Sequence, residues 1–176
     1  MLNFTNQTID LDQLPKYEET ELTKPMGKYW NIILINILIS LLFIGIGLTL
    51  LIVFVEKVRA NWWLWSGLFF AFALFLLLIY RASFKRRGFA LREKDVLYKS
   101  GVIAEKTIII PLNRIQHVAL NEGMFSRIFG LGTLQIYTAG GSSGEVSIAG
   151  IDIEKAKAIK EALVQRLVIN LEIESE

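Results

Sequence analysis

The chain has 176 residues, 53% of them hydrophobic, and a formal net charge of +2. That length suits one small domain with a membrane anchor. It contains no cysteine, which excludes disulfides, thiol catalysis and cysteine-ligated zinc, and a single histidine, His117, which excludes a multi-histidine metal centre.

Residues 1–28 form a polar tail. Up to Tyr29 there are five carboxylates and three lysines, without the basic start and short apolar stretch of a secretory signal, so the apolar segments that follow are expected to stay in the mature protein. Leu11, Leu14, Tyr17 and Leu22 give the tail the means to dock on a folded domain, or it stays disordered.

A two-helix transmembrane hairpin is expected over 29–80, with spans at about 30–55 and 62–80. Ile32–Val55 carries no charge, only Asn36, Ser40 and Thr49 are polar, and it exceeds the ~20 residues needed to cross a bilayer. Trp62–Tyr80 is a second uncharged run, and Glu56–Asn61 is short enough for a tight turn. Tyr29, Trp30, Trp62, Trp63, Trp65 and Tyr80 bracket the two runs, where aromatic rings favour the headgroup level. Gly45, Gly47, Gly67, Ala71 and Ala73 offer close approach between helices, or ordinary membrane-helix composition. The spans lack the ionisable groups that ion or proton relays use, so they read as an anchor.

A basic juxtamembrane segment is expected at 81–87. Arg81, Lys85, Arg86 and Arg87 are the candidate contacts to anionic lipid, each worth roughly 1 kcal/mol at such a surface, or they serve only to set orientation. Together with Lys24 and Lys28 they outweigh Lys57 and Arg59 of the turn, which places both termini in the cytoplasm and the protein in the cell (inner) membrane.

Residues 88–169 read as a soluble domain and 170–176 as a C-terminal tail. Strands are expected at Gly88–Arg92, Val96–Val102, Thr107–Leu112, Arg114–Asn121, Thr133–Ala139 and Val146–Ile148, with a short helix at Gly123–Phe129 and a hairpin turn at Gly140–Gly144. In the fifth strand Leu134 and Ile136 share one face and Gln135 and Tyr137 the other. Asp152 is placed to cap a final helix on which Ala156, Ile159, Leu163 and Leu167 form an apolar stripe. These elements define an α+β or barrel-like domain.

Three separated stretches, Ile110–Val118, Phe125–Leu134 and Tyr137–Gly141, together with the preceding hairpin, resemble the bacterial PH-like, membrane-flanked domains of the YdbS type over roughly Tyr29 to Leu167. The resemblance implies a PH-like barrel, two bent antiparallel sheets with a C-terminal capping helix. It singles out Arg114, Gln116 and Arg127, either as a recognition surface or as a brace between the short helix and the fourth strand. Inositide-binding PH domains carry a basic motif around the first strand turn. Here that turn is Glu93-Lys94-Asp95, with two acids, which speaks against stereospecific inositide binding.

No catalytic constellation is evident. Ser126 and Ser142 have no evident histidine and acid partners, His117 reads as a packed or solvated strand residue, and Gly140–Gly144 lacks the lysine and helix of a phosphate loop. From Arg81 onward there are 14 basic and 11 acidic residues without a basic, aromatic stripe, so nucleic acid is not an expected partner. The expectation is a non-enzymatic, membrane-anchored cytoplasmic interaction module with no cofactor, metal or small-molecule substrate. Its partners are the lipid bilayer and a membrane protein or a second copy of itself. The resemblance implies a role in cell-envelope stress or resistance to membrane-active compounds. The other expectation is a peripheral sensor or binder of anionic lipid headgroups.

Overall fold

The computed structural model describes residues 17–138 and 144–174. Most of the N-terminal tail and residues 139–143, which hold all of the expected Gly140–Gly144 turn but Gly144, lie outside the described residues, as does the side chain of Leu167. After a 3-10 turn at Tyr17–Glu19 come helix α1 (Gly27–Phe54), a single helical turn α2 (Glu56–Arg59) and helix α3 (Trp62–Arg86). At 1.5 Å per residue α1 and α3 are about 42 and 37 Å long, more than a ~30 Å hydrocarbon core requires. Both are long and apolar enough to cross a membrane, and only 6% and 0% of their most apolar stretches are buried. A core helix of a soluble protein would be buried on most sides, so the low burial favours lipid as the surrounding solvent.

The basic segment expected at 81–87 is not separate from the second helix. Arg81, Ala82, Lys85 and Arg86 favour helix, and cations suit its C-terminal end, so α3 continues until Arg87 turns extended before Gly88. Of the small residues, Gly45 sits where a Cβ would touch the Phe69 ring of α3, whereas Gly47 and Gly67 face open space. The glycines therefore do not form one helix-packing stripe.

The domain has two three-stranded antiparallel sheets. The first is β1 (Gly88–Leu91), β2 (Asp95–Ser100) and β3 (Lys106–Pro111), in that order. A 3-10 turn, Leu112–Arg114, leads into β4 (Ile115–Asn121), short helix α4 (Met124–Phe129), β5 (Leu131–Thr138) and β6 (Glu145–Asp152), with order β4-β5-β6. Helix α5 (Ile153–Glu174) packs on the second sheet and the 3-10 turn, closing one end. It runs well past 169, so most of the expected tail is helix. Leu112 is buried in the turn instead of ending a strand, and β6 extends to Asp152 because its far end pairs with Leu131 and Gly132.

The apolar alternation fixes which faces meet. Leu134 and Ile136 of β5, Ile148 of β6 and Leu97 of β2 are at most 2% exposed. Ala156 and Leu163 of α5 complete the core, with Ile159 packed against it. The Asp152 carboxylate accepts hydrogen bonds from the backbone N–H groups of Glu154 (3.2 Å) and Lys155 (3.5 Å), which caps α5. Gly130 closes α4 in the left-handed conformation (φ 66°), where L side chains are strained.

The chain leading into α1 is tied to both sheets. Thr23 and Phe89 exchange backbone hydrogen bonds of 2.8 and 3.0 Å, and the Met26 N–H donates to the Gly150 carbonyl at 2.9 Å. Gly150 has φ 79°, and a Cβ there would lie within 2.9 Å of Tyr29, so both backbone and packing require glycine. Ile32, Ile33 and Ile37 of α1 are buried, and α1 packs against α4 and β6. The domain thus covers the first turns of the first span.

Candidate functional site

Two places on this scaffold gather surface features beyond folding needs. The first is the junction where hairpin meets domain, and the second is the face along α5.

At the junction the four basic residues take different roles. The Arg81 guanidinium lies over the Trp30 ring, 4.9 Å from its centroid, an arrangement stabilised by the ring's negative face. The Trp30 and Tyr29 rings lie 5.8 and 6.4 Å from that of Phe84, which locks the start of α1 to the end of α3. Arg86 reaches the loop between β2 and β3, donating to the Val102 carbonyl and lying 3.9 Å from Glu105. Glu105 also pairs with Lys99 at 2.8 Å, and that hydrogen bond holds its carboxyl below the usual range. Arg87 turns into a groove of about 280 Å³ between α1 and α3, while Lys85 is exposed. Of the interface aromatics at the other end of the hairpin, Trp62, Trp63 and Trp65 are all exposed on the first turn of α3.

Exposed apolar side chains cluster by their elements around the same junction. Ile103, in the loop held by Arg86, is 96% exposed, and Met124 and Ile128, one turn apart on α4 beside α1, are 72% and 73% exposed. The i, i+4 spacing of Met124 and Ile128 is visible in the sequence. Their place beside the membrane helix is not, because it depends on the return of the chain after β4.

The three residues singled out by resemblance are all exposed. Arg114 and Gln116 stand at the start of β4 and Arg127 on α4 beyond its end. Arg114 precedes β4 and Arg127 follows it, and the seven residues of β4 at about 3.3 Å each span roughly 23 Å. No hydrogen bond joins them to one another. His117 stacks on Tyr137 across the β4–β5 pair, with centroids 4.1 Å apart.

The β1–β2 turn is occupied by its own contacts. Arg92 makes two hydrogen bonds to the Asp95 carboxylate at 2.6 and 2.7 Å, which raise the Arg92 pKa further. The Lys94 carbonyl accepts from the Leu112 N–H and the Glu93 carbonyl from Arg166. This turn therefore presents no open basic cradle for an inositol phosphate. Among the described residues, no group of three acids or histidines gathers to hold a metal ion.

Along α5 a groove of about 470 Å³ runs between Leu120 of β4 and Lys157, Lys160, Glu161, Val164 and Gln165 of α5. β4 is an edge strand of its sheet. An edge beside a helix provides unpaired backbone groups on one side and side-chain contacts on the other, the arrangement by which extended segments add to a sheet. A larger apolar cleft between the spans, about 530 Å³ around Gly45 and Phe69, has Thr49 and Ser66 as its hydroxyls. The Thr49 hydroxyl already donates to the Gly45 carbonyl at 2.8 Å, so this cleft suits acyl chains.

Two apolar helices joined to a six-stranded, helix-capped domain define a membrane-anchored PH-like module. The chain belongs to the bacterial PH domain family, which matches residues 31–167, hairpin included. It is similar to the UPF0699 transmembrane protein YdbT of Bacillus subtilis (strain 168), with 34% identity over 96 residues, 53% of this chain and 20% of that relative. The matched part thus covers about a fifth of the relative's length. No solved structure matches. The two apolar helices and the similarity to a transmembrane protein support a membrane location, and the family is not a known enzyme class.

Proposed function

We propose that this protein is a non-enzymatic interaction module. In this reading α1 and α3 cross the cell membrane as a two-span hairpin. The domain and both termini face the cytoplasm, and a partner membrane protein or a second copy docks along β4 and α5. The observation that carries it is the edge strand β4 lying beside the groove of α5, with Leu120, Lys160 and Val164 on its walls. Anchoring raises the local concentration of any partner in the same bilayer, so a modest contact suffices. A role in resistance to membrane-active compounds follows from family resemblance alone and adds no geometry. The test is a photocrosslinking side chain placed at Lys160 in the full chain, in membranes, with Ser147 on the exposed face of β6 as comparison. A defined adduct from position 160 alone supports the reading, and equal labelling from both positions overturns it. A reporter fused after Arg87 should act as cytoplasmic, and an external signal there refutes the orientation.

A second reading, a domain that senses anionic headgroups, is favoured by the exposure of Ile103, Met124 and Ile128 at the junction beside Arg86 and α1. Apolar side chains at that level would enter the headgroup region while nearby cations meet anionic lipid.

A further inference from the structure

We propose that the groove at the α1–α3 junction binds a single anionic phospholipid, with its phosphate on Arg87 and its glycerol and first methylenes along α1. The proposal rests on the membrane-spanning reading of the hairpin.

Three observations carry it. The Arg87 Nε–H is buried and has no hydrogen-bond partner, although a buried donor left unmatched is costly and uncommon. The same groove is lined by polar groups at graded depth, with Tyr29 and Tyr80 near the Arg87 end and Asn36 and Ser40 further along α1. Tyr29 and Asn36 are seven residues apart on one helix, about 10 Å, so the polar lining runs from the Arg87 end into the span. The remaining walls are apolar, Ile33 and Ile37 of α1 and Leu76 of α3, as an acyl chain requires.

The chemistry follows from these positions. A guanidinium grips phosphate edge-on, through Nε and one terminal nitrogen, and this would satisfy the orphaned donor. Tyrosine hydroxyls add neutral donors, and the Asn36 amide suits an ester carbonyl. Arg81, Lys85 and Arg86 surround the same end, so a headgroup with its own ammonium is repelled and an anionic one is preferred. The apolar walls open along the spans, which selects a lipid over free phosphate. The sequence marks these polar positions one by one but does not join them into a site. Tyr29, Ile33, Asn36 and Ser40 share a helix face, but Arg87 joins them only because α3 returns beside α1.

The test is native mass spectrometry of the full chain released from nanodiscs of phosphatidylglycerol or phosphatidylcholine, with Arg87→Gln, Tyr80→Phe and, as a distant charge-matched comparison, Lys155→Gln. The wild type and Lys155→Gln should each retain one phosphatidylglycerol and little phosphatidylcholine. Arg87→Gln should lower retention by roughly tenfold or more, as the loss of charge-assisted hydrogen bonds implies, and Tyr80→Phe by a smaller factor. Retention by Arg87→Gln equal to that of Lys155→Gln overturns the proposal, as does displacement of the retained species by millimolar inorganic phosphate. Alkaline carbonate extraction separates the two layers of inference. A wild type that stays in the pellet yet keeps no lipid refutes the site alone, whereas release into the supernatant refutes the membrane hairpin.

Discussion

The hairpin and the domain use the same apolar residues in opposite ways. Leu42, Phe43 and Phe70 of the spans are 61–70% exposed, whereas Leu97, Leu134 and Ile136 of the strands are at most 1% exposed. The difference teaches that two solvents shape one short chain. In the spans, intrahelical hydrogen bonds satisfy the backbone and the side chains can face lipid on every side. In the domain, alternation sends every second side chain away from water, and the core forms where two sheets and α5 meet.

Substitutions that exchange the two environments should break this contrast, the strongest first. Leu134→Ala removes a core side chain packed between sheet and helix and should destabilise the domain by about 2–5 kcal/mol in denaturant unfolding. The same truncation at Leu42, which faces lipid, should leave the domain transition where it is. Phe43→Arg puts a charge on the lipid face and should cost about 2.5–3.5 kcal/mol in a membrane-insertion assay, whereas Ser147→Arg on exposed β6 should not alter insertion or folding.

Weaker perturbations probe the seam between the regions. Gly150→Ala imposes a Cβ on a left-handed backbone and pushes on Tyr29, so it should loosen the junction by about 1–2 kcal/mol or more, read as faster amide exchange at Met26 and Gly150. The smallest effect concerns pH. Glu105 titrates below its ordinary value of 4.5 because Lys99 and then Arg86 favour its charged form. Its contribution is therefore complete above 4.5 and is lost as pH falls through the lowered folded value. Amide protection factors at residues 101–105, corrected for the intrinsic slowing of exchange in acid, should fall below that range, and Glu105→Gln should remove this pH dependence.

Much of the architecture was legible from local pattern. The uncharged runs announced α1 and α3, the alternation at Leu134–Tyr137 announced β5, and Asp152 marked the start of α5, since each signal is carried by neighbours along the chain. Legibility failed at boundaries set by distant partners. The turn at Leu112 and the extension of β6 each depend on what the segment meets. The candidate sites were less visible still. Arg114, Gln116 and Arg127 look like a group in sequence motifs, yet Arg127 follows β4 while the other two stand at its start. Arg87 looked like one of four equivalent cations until Arg81 was found on Trp30 and Arg86 on Val102.

By itself, then, the sequence determined that the chain needs two solvents, and where along its length each begins. Hydrophobic runs and periodicities are local properties that no later folding can reassign. Tertiary structure alone decided what the junction and the α5 groove contain. Gly150 against Tyr29, β4 beside α5, and the Arg87 Nε–H in the groove with Asn36 are contacts between segments far apart in the chain. Such contacts follow from the return path of α3 and the closure of the sheets, which no single stretch of residues encodes.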